Sequence, residues 1–192
     1  MISFNSIKRT FYLQGANISY IFAADDYGHL RHLYFGERLP EDEDLSFSFR
    51  DEDRGFSGNF AGAKDRTASL DTAFLEYPSA GMGDYRRPAL LLLTQDGARQ
   101  ADLRYVSHTV HRKKPVLEGL PHVCGGETLE VLLQDGKYGI DVSLYYTVAD
   151  DSDAVIRSAR IVNRSPSAVR IAKISSFSLD FPDAGYDTVC LY

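Results

Sequence analysis

The strictest constraint lies at residues 140–149, where Ile140, Val142, Leu144, Tyr146 and Val148 alternate with Asp141, Ser143, Tyr145, Thr147 and Ala149. Strand side chains point alternately to opposite faces, so this spacing predicts a long strand with one apolar wall and one mixed wall. A helix would scatter the same residues around its circumference. Such a strand needs antiparallel neighbours, and turn chemistry supplies them. Asp135-Gly136 separates residues 127–134 from 138–149, and Asp96-Gly97 separates 89–95 from 98–110; Asp-Gly readily takes the positive φ angles of tight hairpins. Polar turns at 150–153 and 163–166 divide 144–149, 155–162 and 168–179, and Asp25-Asp26-Tyr27-Gly28 divides 18–24 from 29–35. No stretch sustains helical spacing between a capping residue and a terminal glycine. An antiparallel sheet with an apolar face must be covered, which predicts an all-β fold, an antiparallel two-layer β-sandwich spanning residues 1–192.

Residues 37–71 depart from this pattern. They carry an acidic run at 41–44, a charged patch at 50–54 and the glycines Gly55, Gly58 and Gly62. The expectation is a long irregular loop, a feature that in a compact domain is usually functional or disordered. At the other end, residues 188–192 read as a strand that is just beginning. An unpaired edge there predicts a fragment, truncated at its C-terminal end.

Charge and composition narrow the partners. Lys plus Arg number 21 against 27 Asp plus Glu, a formal charge of −6, which argues against gripping nucleic acid. An apolar run such as 89–93 is of strand length, far short of the roughly 20 residues of a membrane-spanning helix. The opening MISFNSIKRTFYL lacks the apolar centre of a secretory signal, of about 7–15 residues. Cys124 and Cys190 are not spaced as CxxC and fit a reducing compartment. A cytoplasmic protein with no nucleic-acid or membrane partner is expected.

Sites of common chemistry are weak. His29/His32 and His108/His111 are each three apart on predicted strands, which puts the members of each pair on opposite faces. No metal and no cofactor is expected, and the histidines should be at the surface or partly buried. A calcium loop starting at Asp51 needs glycine at its sixth position and meets Phe56. Gly81-Met82-Gly83 and Gly125-Gly126 lack phosphate-cradle spacing, and neither GxSxG nor a Ser-His-Asp set is present.

Ordered motifs carry more. Ser19-Tyr20-Ile21-Phe22, Leu33-Tyr34-Phe35-Gly36, Glu76-Tyr77-Pro78, Gly83-Asp84-Tyr85-Arg86 with Pro88, and Ser107-His108 come first. Gly119-Leu120-Pro121, Glu127-Thr128-Leu129-Glu130, Arg157-Ser158-Ala159-Arg160 and Ser178-Leu179-Asp180-Phe181-Pro182 follow. Together they resemble, in collinear order, the N-terminal region of bacterial α-galactosidases of glycoside hydrolase family 36. The resemblance implies a β-supersandwich of which this chain is the first part, with a catalytic (β/α)₈ barrel lying outside it. It implies a retaining exo-α-galactosidase acting on raffinose- or melibiose-type sugars, one carboxylate attacking the anomeric carbon and another serving as acid and base. The present chain alone is expected to be inactive, with no catalytic residue of its own.

The resemblance also gives the odd loop a use. Asp53-Arg54, Phe56-Ser57 and Asp65-Arg66-Thr67 look like a family segment that, in tetrameric members, reaches toward the active site of a neighbouring protomer. Asp53, Phe56 and Arg66 are therefore the candidate substrate-binding residues, and a homo-oligomer is expected. Carboxylate and guanidinium groups suit sugar hydroxyls, and an aromatic face suits the apolar side of the ring. Tyr77, Pro78, Tyr85 and Pro88 form an aromatic-rich segment suited either to an interface or to plugging the sandwich. The alternative from another class is a free-standing carbohydrate-binding or structural β-sandwich module.

Overall fold

The computed structural model describes residues 1–41, 43–49, 51–53, 60–62, 65–114, 125–150 and 152–180. Among them are twelve strands and no α-helix. The first sheet runs β1 (Ile2–Asn5), β2 (Thr10–Gln14), β3 (Ile18–Ala24) and β4 (Leu30–Glu37), each antiparallel to the next. A short pair, β5 (Phe60–Gly62) and β6 (Asp65–Ser69), follows. β7 (Leu90–Leu93) pairs with the late strand β12 (Arg170–Ile174). The second large sheet is β8 (Arg104–His111), β9 (Glu127–Asp135), β10 (Ile140–Val148) and β11 (Val155–Asn163), in the spatial order β11-β10-β9-β8. The antiparallel all-β expectation holds.

The alternation at β10 positions the core. Ile140, Val142, Leu144, Tyr146 and Val148 are all buried, and they meet Phe11, Leu13, Tyr20 and Phe22 from the first sheet in one cluster with Leu129, Val131 and Leu133 of β9. Phe11 stacks on Phe22 at 4.8 Å, and Phe22 stacks on Tyr146 at 4.8 Å, so aromatic rings bridge the two layers. The mixed wall of β10 is also partly covered: Thr147 and Thr128 hydroxyls share a buried hydrogen bond of 2.7 Å. Gly126, entering β9 at φ +90, is required there because a Cβ would lie 2.2 Å from the Val148 carbonyl oxygen.

Two local expectations are corrected. Asp96-Gly97 does make a turn, with Gly97 N–H donating to the Thr94 carbonyl at 3.0 Å, but its flanks do not form a hairpin. β7 pairs with β12, and regular structure resumes only at Arg104. The intervening residues cross toward the second sheet, burying Ala101 and Leu103 while Asp102 N–H bonds the Asp135 carboxylate. The segment expected to be an irregular loop over 37–71 also contains a one-turn 3-10 helix at Ser46–Ser48 and the β5–β6 pair. Residues 188–192, expected to start a strand, lie outside the described residues.

One extended segment stitches the first sheet to β7. Glu76 N–H donates to the Leu30 carbonyl at 3.0 Å, His32 N–H to the Phe74 carbonyl at 2.7 Å, and Ala89 N–H to the Pro78 carbonyl at 2.8 Å. These bonds aim Glu76 into the space between the layers, where it is fully buried.

Leu144→Ala should lower stability by about 2–5 kcal/mol, the range for a leucine removed from a close-packed core. Val106→Ala, at a half-exposed residue in the irregular pairing of β8 with β9, should stay within about 0.5 kcal/mol. Urea denaturation of the intact protein measures both, and equal effects would contradict the core assignment.

Candidate functional site

Among the described residues, one concentration of ionisable groups is internal. The Glu76 carboxylate accepts from Tyr20 (2.8 and 2.9 Å), Tyr146 (3.0 Å) and His32 Nδ1 (2.8 Å), and pairs with Arg157 at 2.9 Å. Because a carboxylate only accepts, His32 carries its proton on Nδ1. Arg157 also donates to the Tyr20 hydroxyl at 2.7 Å and to the Ser178 and Glu76 carbonyls, and its guanidinium sits 4.7 Å from the Tyr146 ring centre. Burial alone would raise the Glu76 pKa, but the Arg157 charge and the His32 hydrogen bond outweigh it and hold the carboxyl below the usual glutamate range. Burial and the neighbouring carboxylate push the Tyr20 and Tyr146 hydroxyls well above the ordinary phenol value.

This cluster resembles an acid–base site in composition but not in access. Both Glu76 oxygens are occupied by protein donors, and the Glu76, Arg157 and His32 side chains are at most 7% exposed. It is a buried polar tie, joining β3, β4, β10, β11 and the stitching segment. The expectation of surface or partly buried histidines fails at His29 and His32, both buried; His32 turns inward because Glu76 offers it a charged acceptor. His108 packs its ring against Phe4 and Phe11, while His111 bonds Glu130 at 2.9 Å. Among the described residues no three His, Cys, Asp or Glu side chains converge on a common point.

The rim candidates lie elsewhere. Arg66 Nε and Asp53 Oδ1 are 3.2 Å apart, and the two side chains are 53% and 61% exposed. Phe56 lies outside the described residues. An ion pair this exposed contributes no more than about 1 kcal/mol, so it does not hold the loop by itself. It does present a carboxylate and a guanidinium side by side to solvent.

Anchors stand just behind both members of the pair. Asp51 accepts from Arg31 at 2.7 Å, and the Arg31 guanidinium lies 4.6 Å from the Phe49 ring centre. Asp65 accepts from the Tyr27 hydroxyl at 2.5 Å and from Thr67 N–H and hydroxyl at 2.9 and 2.6 Å. The Thr67 and Tyr27 hydrogen bonds pull the Asp65 carboxyl down to about 2, and the Asp65 bond pushes the Tyr27 hydroxyl up to about 12. A groove of about 450 Å³ lies at the base of the loop, lined by Lys8, Tyr27, Arg31, Phe49, Asp51 and Asp65.

The segment around Tyr77 divides between the two uses expected of it. Tyr77 is buried and donates to the Ser175 carbonyl at 2.9 Å, and Arg86 binds Asp84 at 2.9 Å and Asp180 at 2.7 Å. Tyr85, in contrast, is 83% exposed. The sequence reading missed the Glu76–Arg157 tie. The signal for it was an acidic residue inside the apolar run Phe74-Leu75-Glu76-Tyr77 and a tyrosine on the apolar wall of β10.

Comparison with known proteins adds the context of this geometry. The family model described as the glycosyl hydrolase family 36 N-terminal domain matches residues 28–192. The chain is 38% identical over 196 residues to the bifunctional α-galactosidase/sucrose kinase AgaSK of Mediterraneibacter gnavus, covering 100% of this chain and 21% of that protein. It is 36% identical to α-galactosidase AgaA of Geobacillus stearothermophilus, covering 99% and 26%. Among solved structures, GH36 α-galactosidase AgaB of Geobacillus stearothermophilus superposes with a TM-score of 0.87 at 35% identity, covering 95% of this chain and 25% of that one. An AgaA A355E D548N structure in complex with raffinose gives 0.84 at 36% identity, covering 90% and 24%. The chain thus spans about a quarter of the length of the relatives it matches.

Glu76→Gln should destabilise the intact protein by about 3–5 kcal/mol at neutral pH, because it leaves Arg157 buried without its counter-charge. The Glu76 pKa is depressed on folding, so its contribution is full above the unfolded value of about 4.3 and is lost as pH falls through the folded value. Denaturation midpoints of the two proteins should therefore draw together in acid. A constant gap from neutral pH down to strong acid would contradict the charged tie.

Proposed function

Since the chain belongs to the N-terminal domain family of glycosyl hydrolase family 36, we propose that it is the non-catalytic front domain of a cytoplasmic, retaining exo-α-galactosidase acting on raffinose- and melibiose-type sugars. The reacting carboxylates are assigned to parts of the protein beyond this chain, where one attacks the anomeric carbon and the other protonates the leaving oxygen and then activates water. The role assigned to this domain is assembly of a homo-oligomer and completion of the sugar pocket of a neighbouring protomer. Asp53, Phe56 and Arg66 are the residues assigned to that rim.

The observation that carries this reading is the exposed Asp53–Arg66 pair, held at 3.2 Å on a loop whose flanks are tied to the sheet. A carboxylate accepts from two sugar hydroxyls and a guanidinium donates to others, each charge-assisted and stronger than a neutral hydrogen bond. Solvent-facing placement leaves these groups free to meet a ligand delivered by another subunit. The raffinose and stachyose complexes of the related AgaA variants support an α-galactoside as that ligand.

Asp53→Ala in the complete protein should raise KM for raffinose by about tenfold to a hundredfold, the loss expected when a charged hydrogen-bond partner is removed from a bound polar group. Steady-state kinetics checks this. Wild-type kcat and KM in that variant would remove Asp53 from the pocket.

A further inference from the structure

The exposed Asp53–Arg66 pair is too weak to fix its own geometry, yet a sugar rim must be held within a fraction of an ångström to be useful. Both flanks of the loop are gripped immediately beside the pair, and both grips come from the β3–β4 hairpin. On one side Arg31 of β4, its side chain 5% exposed, bonds Asp51, two residues before Asp53. On the other, the hydroxyl of Tyr27 in the connecting turn bonds Asp65, the residue before Arg66.

The turn that carries Tyr27 is itself fixed from the other layer. Asp25 accepts from Tyr27 N–H at 3.0 Å and from His29 N–H at 2.8 Å, which shapes the turn. Arg104, at the start of β8, donates to the Tyr27 carbonyl at 2.6 Å, and Tyr105 N–H donates to the Gly28 carbonyl at 2.7 Å. Gly28 takes φ +83, the left-handed conformation that the turn requires. The route from the second sheet to the loop therefore runs through hydrogen bonds at every step.

We propose that Tyr27 and Arg31 are positioning residues that clasp the two flanks of the loop so that Asp53 and Arg66 are presented as one preformed sugar-binding rim. The proposal rests on the rim assignment above and deepens it: rim geometry is set by two residues that touch no substrate. Preforming the pair removes the ordering cost that substrate binding would otherwise bear, so the clasp acts on KM rather than on chemistry.

The test compares Tyr27→Phe, which deletes one oxygen, and Asp51→Asn, which neutralises the Arg31 partner, with Asp53→Ala, all in the complete protein. Amide hydrogen exchange over residues 51–53 and 65–69 and steady-state kinetics with raffinose are measured on each. In Tyr27→Phe and Asp51→Asn, exchange at the affected flank should quicken about tenfold, as expected when a charge-assisted tether is lost, and KM should rise while kcat stays within about twofold. Asp53→Ala should raise KM with exchange unchanged. Unaltered exchange in both clasp variants overturns the clasp whatever Asp53→Ala does. A fall in kcat with KM unchanged, the signature of lost active protein, also overturns it. If Asp53→Ala leaves KM unchanged, the rim assignment fails, and the positioning role fails with it even where exchange quickens.

Discussion

The ion pair of Glu76 with Arg157 is the constraint on which the arrangement of the sheets depends. Each charge taken out of water costs several kcal/mol, so the pair is tolerable only when every polar atom around it finds a partner. Two phenols, one imidazole and two backbone carbonyls provide those partners. They come from β3, β4, β10, the segment that stitches β4 to β7 and Ser178 beyond β12, while Arg157 itself stands on β11. Sliding any of these strands by one residue would turn its polar group away and strand a buried charge. Apolar packing makes the two layers adhere, and this cluster fixes the register in which they do so.

β4 carries the consequence outward. His32 points to Glu76, and its neighbour Arg31 points to Asp51 at the base of the long loop. Alternation along a strand thus places the core tie and the loop tie on opposite faces of one backbone. The hairpin turn before β4 adds Tyr27, which is held from β8. A loop rich in charge and glycine thereby gains two fixed points beside the Asp53–Arg66 pair, in addition to the packing of its Leu45 against Tyr12 and Ile21.

Much of this was legible in the sequence, and the exceptions have physical causes. The alternation at 140–148 gave β10 with its burial, and Asp135-Gly136 and the turns at 150–153 and 25–28 fell between the strands they were expected to join. Asp96-Gly97 misled because turn chemistry is local whereas strand pairing is not: β7 finds its partner in β12, far along the chain. Arg157 was not legible as a core residue, since an arginine reads as surface unless its acid is known, and Glu76 lies 81 residues away. The loop was recognisable as unusual from composition, but Asp53 and Arg66 were singled out by family resemblance alone. The clasp residues Tyr27 and Arg31 had no sequence signal beyond a polar turn and an ordinary strand position.

In the function proposed, this β-domain lends a preformed acidic and basic pair to a sugar pocket built mainly elsewhere. The most direct measurement is an experimental structure of the complete protein assembled in solution, with raffinose bound. Asp53 and Arg66 of one protomer should lie within hydrogen-bond distance of the galactose hydroxyls held by a neighbouring protomer. A bound sugar with both side chains still facing open solvent would rule out the shared rim.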